Sequence, residues 1–407
     1  MRSSSSEKTN IKELELNALL EVTQAINNNL PAESLYKIYK FTLLADFNIQ
    51  KLALFVMGNS WECKVHFGVS DDFCKDNLPH DFSNLTESIE LKEGEGSFNE
   101  FDLAIPVLHK KRMLAVVFVG GLQKDELGEV LGSGTTFLEA LTNIILVAIE
   151  NKKLANKQLE QEAYKKEMEI AKQVQQFLFP KELPSSNGLE IAAKYLPHHD
   201  VGGDYYDYIP LDDDKFILCI ADVSGKGVPA ALMMSNFQAS LRTLARKTHD
   251  LKEMVGDLNS QINFSGNGEI FITFFVALYD RGSKTFEYIN CGHNPPVMAL
   301  NEESVQLLDL GTTVLGMFCP LPFNSLGTFN NVDSFSLFCY TDGLSESFDD
   351  NEEEFGAERI ERIFSNNISL SPEKMNDKML MEIDSFRGGN EYRDDATLLT
   401  CKVNQVL

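Results

Sequence analysis

The chain has 407 residues, 43% of them apolar, which is long enough for two or three domains with hydrophobic cores of their own. It carries 36 basic and 61 acidic side chains, and its net charge is −25 at pH 7. Such a charge repels the phosphates of nucleic acids and anionic membrane surfaces. We therefore expect no nucleic acid and no membrane as partners, and a cation or a basic protein surface suits the chain better.

The seven cysteines form no CxxC pair, are odd in number, and in several cases lie inside apolar runs such as FILCIA and FSLFCYT. This pattern predicts reduced, buried thiols and not a zinc site or a disulfide framework. No stretch reaches the roughly 18 apolar residues of a membrane span. The N-terminal residues also lack the apolar segment of a signal peptide. We expect a soluble, cytoplasmic protein.

Residues 1–150 are predicted to form an α/β domain. Apolar side chains at helical spacing over residues 10–30 are followed by strand-like runs at 51–57, 62–68, 103–108 and 114–121. The stretch AIPVLHKKRMLAVVFVGGL, two runs around a basic turn, resembles the late hairpin of GAF sensor domains. A PAS domain and a domain that serves only dimerisation are the alternatives, and the ligand of a sensor here is unknown.

Residues 151–183 are predicted to link two domains. Proline and glycine are both absent from Phe137 to Leu178, and Pro180 and Pro184 then end what should be one helix of about forty residues. Its second half has apolar positions three and four residues apart, at Tyr164, Met168, Ala171, Val174 or Gln175, and Leu178. This spacing is typical of a coiled coil. We expect a parallel homodimer along this helix, with a single solvated helix as the alternative.

Residues 184–407 show short apolar runs separated by turns, a pattern of antiparallel sheets with helices between them, and hence an α+β fold. The runs DYYDYIPL (204–211) and KFILCIAD (215–222) are predicted to form a hairpin across the turn DDD. A hairpin centred on Asp213 places Asp204 opposite Asp222. Two carboxylates at such a position repel each other unless one is protonated or a cation lies between them. A register slip of one residue would move one of them to the opposite face.

Further acids occur at two other strand ends. Asp342 ends the run FSLFCYTDG, and Asp394 and Asp395 precede ATLLTCKV. In antiparallel sheets these ends and those of the hairpin can meet at one edge. Glycines stand beside most of these acids and would leave room for ions and water, at positions 202, 203, 225, 227 and 343. Oxygen ligands without histidine or cysteine suit Mg²⁺ or Mn²⁺, and two such ions can activate water and clamp a phosphoryl group. An acid taken alone is more often a turn or cap residue, whereas four acids at strand ends with flanking glycines favour a metal site.

Five motifs carry a resemblance to a known family. They are GGDYYDY, ADVSGKGVPAALMM, NCGHNPP, YTDGLSES and RDDATLL, beginning at residues 202, 221, 290, 340 and 393. Their order and spacing resemble the bacterial SpoIIE/RsbU branch of the PPM-type, protein phosphatase 2C-like Ser/Thr phosphatases, over about residues 171–405. The resemblance implies a β-sandwich of two antiparallel sheets flanked by helices, with two Mn²⁺ or Mg²⁺ ions at one edge. It implies as metal ligands Asp204, Asp222, the carbonyl of Val223, Asp342 and Asp394, with Asp395 in reserve.

The resemblance also implies an activity, in which metal-activated water hydrolyses phosphoserine or phosphothreonine. The implied substrate is a STAS-type anti-anti-sigma factor, under control of the N-terminal domain. Ser224 stands where eukaryotic members have a histidine, and a serine hydroxyl is a poor acid. His293 is a candidate proton donor, with a loop-ordering role as the alternative. Two other functions compete, a catalytically silent binding module and a two-metal enzyme acting on nucleotides. The retained aspartates argue against the first and the lack of a Gly-rich phosphate loop against the second.

The stretch GVPAALMMSNFQASLRTLARK (227–247) is predicted to be an amphipathic helix that follows the Asp222 loop directly. A movement of this helix would move a metal ligand. The predicted linker helix enters the same domain and could transmit a change from the N-terminal domain.

Overall fold

The computed structural model describes residues 3–45, 49–58, 60–70, 73–75, 78, 82–91, 98, 100–109, 112–121, 133–186, 188–266, 268–300 and 304–404. The chain divides into two compact units, residues 1–162 and residues 163–407. Within the described ranges, no helix combines the length and the apolar character needed to cross a bilayer.

The N-terminal unit contains helices α1 (Ser3–Asn27) and α2 (Ala32–Ala45) and a short 3₁₀ turn (Phe73–Lys75). Its strands are β1 (Lys51–Met57), β2 (Trp61–Phe67), β3 (Ile89–Glu90), β4 (Leu103–His109) and β5 (Arg112–Gly120). They form one antiparallel sheet in the order β2-β1-β5-β4-β3. The four predicted strands are confirmed to within two residues at each end, and β4 and β5 pair as the predicted hairpin.

Both faces of this sheet are covered. Along β5, Ala115 and Val117 face the helices, whereas Val116 and Phe118 face an aromatic cluster that includes Phe55. Helix α2 was not predicted, although its buried residues Leu35, Tyr39 and Leu43 follow one another at the four-residue spacing of a helix face. The resemblance to a GAF domain stays a prediction.

The long helix α3 spans Ser133–Gln176 and confirms the predicted uninterrupted helix, beginning four residues earlier than expected. Its first turns pack into the N-terminal core through Phe137, Leu141 and Ile145. Of the predicted seam, Tyr164 and Val174 are 62% and 55% exposed, whereas Gln175 is buried. The coiled coil and the homodimer stay predictions.

The C-terminal unit contains the remaining elements. Its helices are α4 (Val228–Lys247), α5 (Leu251–Gly266), α6 (Asp342–Ser345), α7 (Ala357–Ser365) and α8 (Pro372–Arg387). Its strands are β6 (Ser185–Ser186), β7 (Leu189–Leu196), β8 (Tyr205–Pro210), β9 (Lys215–Val223), β10 (Ile272–Asp280), β11 (Thr285–Cys291), β12 (Val297–Ala299), β13 (Val305–Leu307), β14 (Gly311–Thr312), β15 (Gly327–Phe329), β16 (Phe335–Tyr340) and β17 (Ala396–Val403).

These strands form two six-stranded sheets, and the predicted α+β sandwich is confirmed. One sheet has the order β14-β11-β10-β9-β8 with β15 paired to β11, and the other has the order β13-β12-β16-β17-β7-β6. One detail differs from the prediction of antiparallel sheets, because β14 runs parallel to β11. This pairing is short, because it joins only Asn290 and Cys291 of β11 to the two residues of β14.

Strand β9 shows how the sandwich is held together. Ile217, Cys219 and Ala221 pack under α4 and α5, whereas Phe216 and Leu218 face the second sheet. Side chains alternate across a strand, so an apolar run buried on both faces is the expected sequence of such a strand. Helices α7 and α8 cover the outer face of the second sheet in the same way.

The predicted register of the β8–β9 hairpin is confirmed. Tyr205 pairs with Ala221, and Pro210 pairs with Phe216. Asp204 and Asp222 are therefore the next opposed positions, immediately beyond the first residue of β8.

Candidate metal centre

The ends of both sheets meet at Asp204. The Oδ2 atom of this carboxylate accepts hydrogen bonds from the hydroxyl of Thr341, at the end of β16, and from that of Thr397, in β17, at 2.8 and 2.5 Å. The Thr341 hydroxyl also accepts a hydrogen bond from the backbone N–H of Thr397 at 2.8 Å. One carboxylate of the first sheet is thus fixed by two neighbouring strands of the second.

The second oxygen of Asp204 has different surroundings. Asp204 is 1% exposed, and its Oδ1 atom is buried without a hydrogen-bond partner. Burial first, and the nearby Asp222 second, raise the pKa of Asp204 well above its ordinary value. A buried acceptor without a donor is costly for a folded protein. A cation at Oδ1 would remove that cost, and so Asp204 fits a metal ligand.

Asp222 and Asp342 share this environment. Burial, followed by repulsion from Asp342 and Asp394, raises the pKa of Asp222 to about 7. Burial, followed by repulsion from Asp394, raises the pKa of Asp342. Like charges close together disfavour ionisation of each, so these shifts show that the four predicted carboxylates lie within electrostatic reach of one another.

The structure brings these acids to one edge but does not close them around a point. Within the part of the chain that the structure describes, no three carboxylate, imidazole or thiol side chains stand close enough together to hold an ion as they are. Metal binding therefore requires side-chain adjustment. The donor set itself, hard oxygens without nitrogen or sulfur, fits Mg²⁺ or Mn²⁺.

Asp394 and Asp395, the neighbouring acids of RDDATLL, have different contacts. Asp395 is buried, and its carboxylate accepts hydrogen bonds from the backbone N–H groups of His198 and Gly203 at 2.8 and 2.9 Å. Asp394 is 40% exposed and forms an ion pair with Lys226, with 2.7 Å between Oδ2 and Nζ. Because Asp395 is occupied in holding the loop before β8, Asp394 is the better placed of the two to bind an ion.

The sequence predicted that five glycines leave room for ions and water, and this is wrong for Gly202, Gly203 and Gly343, which make room for protein atoms. A Cβ atom on Gly225 or Gly227 would meet no atom within 4 Å. A Cβ atom on Gly203 would lie 2.7 Å from the carbonyl oxygen of Val223, and one on Gly202 would lie 1.8 Å from the Asp395 carboxylate. A Cβ atom on Gly343 would lie 2.0 Å from the Asp395 carbonyl oxygen. These contacts require glycine and bring the Val223 carbonyl against the chain just before Asp204.

His293, the candidate proton donor, and Ser224 both serve the local structure. His293 is 4% exposed, its Nδ1 atom lies 2.8 Å from the hydroxyl of Thr273, and Thr273 is paired with Asp222 across β9 and β10. Burial lowers the pKa of His293 to about 4, so the ring is neutral at pH 7. The Ser224 hydroxyl accepts the backbone N–H of Phe271 at 3.0 Å. The loop-ordering role of His293 is therefore favoured over proton donation.

Lys226 is a residue of the site that the sequence reasoning missed. Its Nζ atom binds Asp394 and donates to the Arg393 carbonyl at 2.8 Å. It lies between Gly225 and Gly227, whose φ angles of 96° and 69° are in the region that favours glycine. A basic residue inside ADVSGKG was the available signal.

Two further contacts hold the elements that carry the acids. The side-chain amide of Gln175, near the end of α3, donates to the Gly202 carbonyl at 2.7 Å. Arg242 of α4 donates to both carboxylate oxygens of the buried Asp207 at 2.7 and 3.0 Å, and the Tyr205 hydroxyl donates to the same group. Neither pair could be found from sequence spacing, because the partners lie 27 and 35 residues apart.

Comparisons with known proteins concern mainly the C-terminal unit, which carries these acids. Residues 212–404 match the family described as Stage II sporulation protein E (SpoIIE), a range that includes Asp222, Asp342 and Asp394 and begins just after Asp204. The phosphoserine phosphatase RsbU of Bacillus subtilis is 35% identical over 135 residues, covering 33% of this chain and 40% of RsbU. Protein IcfG of Synechocystis sp. is 29% identical over 311 residues, covering 69% of this chain and 46% of IcfG.

The chain thus spans less than half the length of these curated relatives. Among solved structures, the PP2C domain of SiaA from Pseudomonas aeruginosa superposes with a TM-score of 0.53 at 19% identity, covering 59% of this chain and 97% of that domain. This similarity concerns the fold. The C-terminal unit therefore has a PP2C-type fold, and residues 212–404 match the SpoIIE family model.

Proposed function

We propose that the chain is a Mn²⁺- or Mg²⁺-dependent protein phosphatase that hydrolyses phosphoserine or phosphothreonine in a partner protein. The observation that carries the proposal is the buried, unpartnered Oδ1 atom of Asp204 beside Asp222, Asp342 and Asp394, in a SpoIIE-family domain. Two curated relatives are named phosphoserine phosphatases, which supports this substrate class.

Each residue has a stated role in the proposal. Asp204 and Asp222 would contact both ions, the Val223 carbonyl would be a backbone ligand, and Asp342 and Asp394 would complete the set. Bound ions would supply an activated water and neutralise charge on the phosphoryl group. Thr341 and Thr397 orient Asp204 through its Oδ2 atom. Since Ser224 and His293 are engaged in loop contacts, the leaving oxygen would take its proton from water.

The finer parts of the proposal rest on the family resemblance. The substrate would be a phosphorylated STAS-type anti-anti-sigma factor in the cytoplasm, and the N-terminal domain (1–150) would control the phosphatase domain (184–407) through the helical linker (151–183). A GAF-like domain with an unidentified ligand and a homodimer along the linker belong to the same proposal. The exposed apolar side chains of α3, such as Tyr164 and Val174, support a partner for this helix.

The test compares three variants on several substrates. With Mn²⁺ present, the wild type should release phosphate from a phosphoserine peptide and from p-nitrophenyl phosphate, and Asp204→Ala and Asp342→Ala should lose this activity. Asp213→Ala is the matched control, because it removes an exposed carboxylate at the opposite end of the β8–β9 hairpin.

The other outcomes identify the competing functions. Equal rates in all four proteins would show a binding module without its own catalysis. Hydrolysis of ATP or a cyclic nucleotide in preference to the phosphopeptide would show a nucleotide enzyme.

A further inference from the structure

Two cysteines of the N-terminal unit lie against each other. The Sγ atoms of Cys63, in β2, and Cys74, in the 3₁₀ turn, are 2.7 Å apart. A disulfide bond is about 2.05 Å long, so a small side-chain rotation separates this contact from a bond. Both residues are partly accessible, whereas the cysteines of the C-terminal sheets are buried at positions 219, 291, 339 and 401. The prediction that the cysteines are buried thiols is therefore wrong for Cys63 and Cys74, and also for the exposed Cys319.

The contact does not depend on the sulfur atoms alone. Cys63 is paired with Phe55 across β1 and β2, which fixes the backbone of the first cysteine. The ring of Phe73 packs against Phe98, with centroids 4.9 Å apart, and against Phe101 at 5.5 Å. These rings hold the 3₁₀ turn on the aromatic face of the sheet and present Cys74 to Cys63.

We propose that Cys63 and Cys74 are a redox-active dithiol that a peroxide converts reversibly into a disulfide. In the first step the Cys74 thiolate attacks a peroxide oxygen, the O–O bond breaks, and a sulfenic acid and hydroxide form. The hydroxide takes up the proton that the Cys74 thiol released on ionising and becomes the first water. In the second step the Cys63 sulfur attacks the Cys74 sulfur, the S–O bond breaks, and the released hydroxide takes up the Cys63 proton as a second water. Two thiols are oxidised to one disulfide, and one hydrogen peroxide is reduced to two waters.

The order of the two sulfurs follows from their surroundings. Burial, followed by the contact with Cys74, raises the pKa of Cys63 well above its ordinary value. A raised pKa keeps the Cys63 thiol protonated at pH 7, which makes it the poorer nucleophile towards peroxide, so the first attack is assigned to Cys74 and the second step to Cys63. The resulting bond would tie the 3₁₀ turn to β2.

The test uses the full chain and its tryptic peptides. Lys64 and Lys75 directly follow the two cysteines, so trypsin places Cys63 and Cys74 in separate peptides. The protein is treated with hydrogen peroxide, the remaining thiols are alkylated, and the digest is analysed by mass spectrometry. We expect one linked peptide pair lacking two hydrogen atoms, loss of alkylation at both cysteines, and full recovery of both after reduction.

Matched variants separate the pair from general thiol oxidation. Cys319 is the exposed cysteine of the C-terminal unit, and Cys319→Ser should leave the linked pair unchanged. Cys63→Ser and Cys74→Ser should each abolish it. Full alkylation of Cys63 and Cys74 after a treatment that oxidises Cys319, or a link from either one to Cys319, would overturn the proposal. The wild-type digest alone decides this, even if a serine variant folds poorly.

Discussion

Asp204 has two carboxylate oxygens in opposite situations. Two threonine hydroxyls satisfy Oδ2, whereas Oδ1 is buried with no donor. Hydrogen bonds to one oxygen of a carboxylate fix the direction of the other, and partners of this kind tune the ligands of metal sites. The two threonines are therefore expected to matter for ion binding although neither is a ligand.

Thr397→Val tests this role. Valine keeps the shape of threonine but removes the donor to Asp204, so Mn²⁺ affinity, measured by isothermal titration calorimetry, should fall about 10- to 100-fold. Thr400→Val is the matched control, since Thr400 lies in the same strand and donates to Asn376 instead. An unchanged affinity in Thr397→Val would show that the hydrogen bond does not orient a metal ligand.

The raised pKa of Asp222 predicts a pH dependence of metal-free stability. Its folded value of about 7 exceeds the ordinary 3.8, so the neutral acid is favoured in the folded state. Below about pH 4 Asp222 is neutral in both the folded and the unfolded state, so it does not lower the free energy of unfolding. This free energy then falls as the pH rises to about 7, and above about pH 7 it falls no further on account of Asp222. Relative to Asp222→Asn, the metal-free wild type should lose melting temperature between about pH 4 and pH 7. A constant difference between the two proteins across that range would contradict the assignment.

Sequence reasoning found the acids because strand ends and turn residues are local features. It missed the hydroxyls of Thr341 and Thr397, which act on Asp204 across 137 and 193 residues. It also could not show that the Asp395 carboxylate accepts hydrogen bonds from two backbone N–H groups, because these bonds depend on the conformation of the loop before β8. Contacts between distant residues need the tertiary structure.

At the scale of elements, periodicity located most of the fold. The hairpin register followed from its turn, and α3 followed from the absence of proline and glycine. Helix α2 and the parallel pairing of β14 with β11 were missed. The pairing of β14 has no signal in its own two residues, since it depends on where the chain returns to the sheet.

The loop between β9 and α4 carries the ion pair of Lys226 with Asp394. This ammonium group neutralises one of the proposed ligands and must leave it for an ion to bind there. Lys226→Ala should therefore bind Mn²⁺ more tightly, by up to about fivefold, because partly exposed ion pairs contribute about 1 kcal/mol or less. Lys215→Ala, which loses the pair with Asp280 instead, should bind as the wild type does. Weaker binding by Lys226→Ala alone would contradict the competition.

At the scale of the whole molecule, the boundary between the two compact units falls within α3. Gln175, near the C-terminal end of this helix, donates a hydrogen bond to the carbonyl of Gly202. Gly202 precedes Asp204 by two residues. We propose that this continuous helix, with its anchor beside the proposed site, carries the control of one unit by the other, since a rigid element can carry coupling between sites.

Deletion of residues 1–150 tests this control and rests on the proposed phosphatase activity. The truncated chain keeps the second part of α3 with Gln175 and should retain activity, but its rate at saturating Mn²⁺ should change by about fivefold or more, the lower end of typical allosteric coupling. Phosphoserine peptide hydrolysis measures it, with circular dichroism as the control for folding. If the full chain and the truncated chain have the same rate and the same KM, the N-terminal unit does not regulate the activity.

The most direct measurement of the central claim is a crystal structure of the protein grown with Mn²⁺, with an anomalous difference map at the manganese edge. The account predicts two peaks at the shared edge of the two sheets, contacted by Asp204, Asp222, Asp342, Asp394 and the Val223 carbonyl. Peaks elsewhere, or none at a concentration that supports phosphate release, would contradict it.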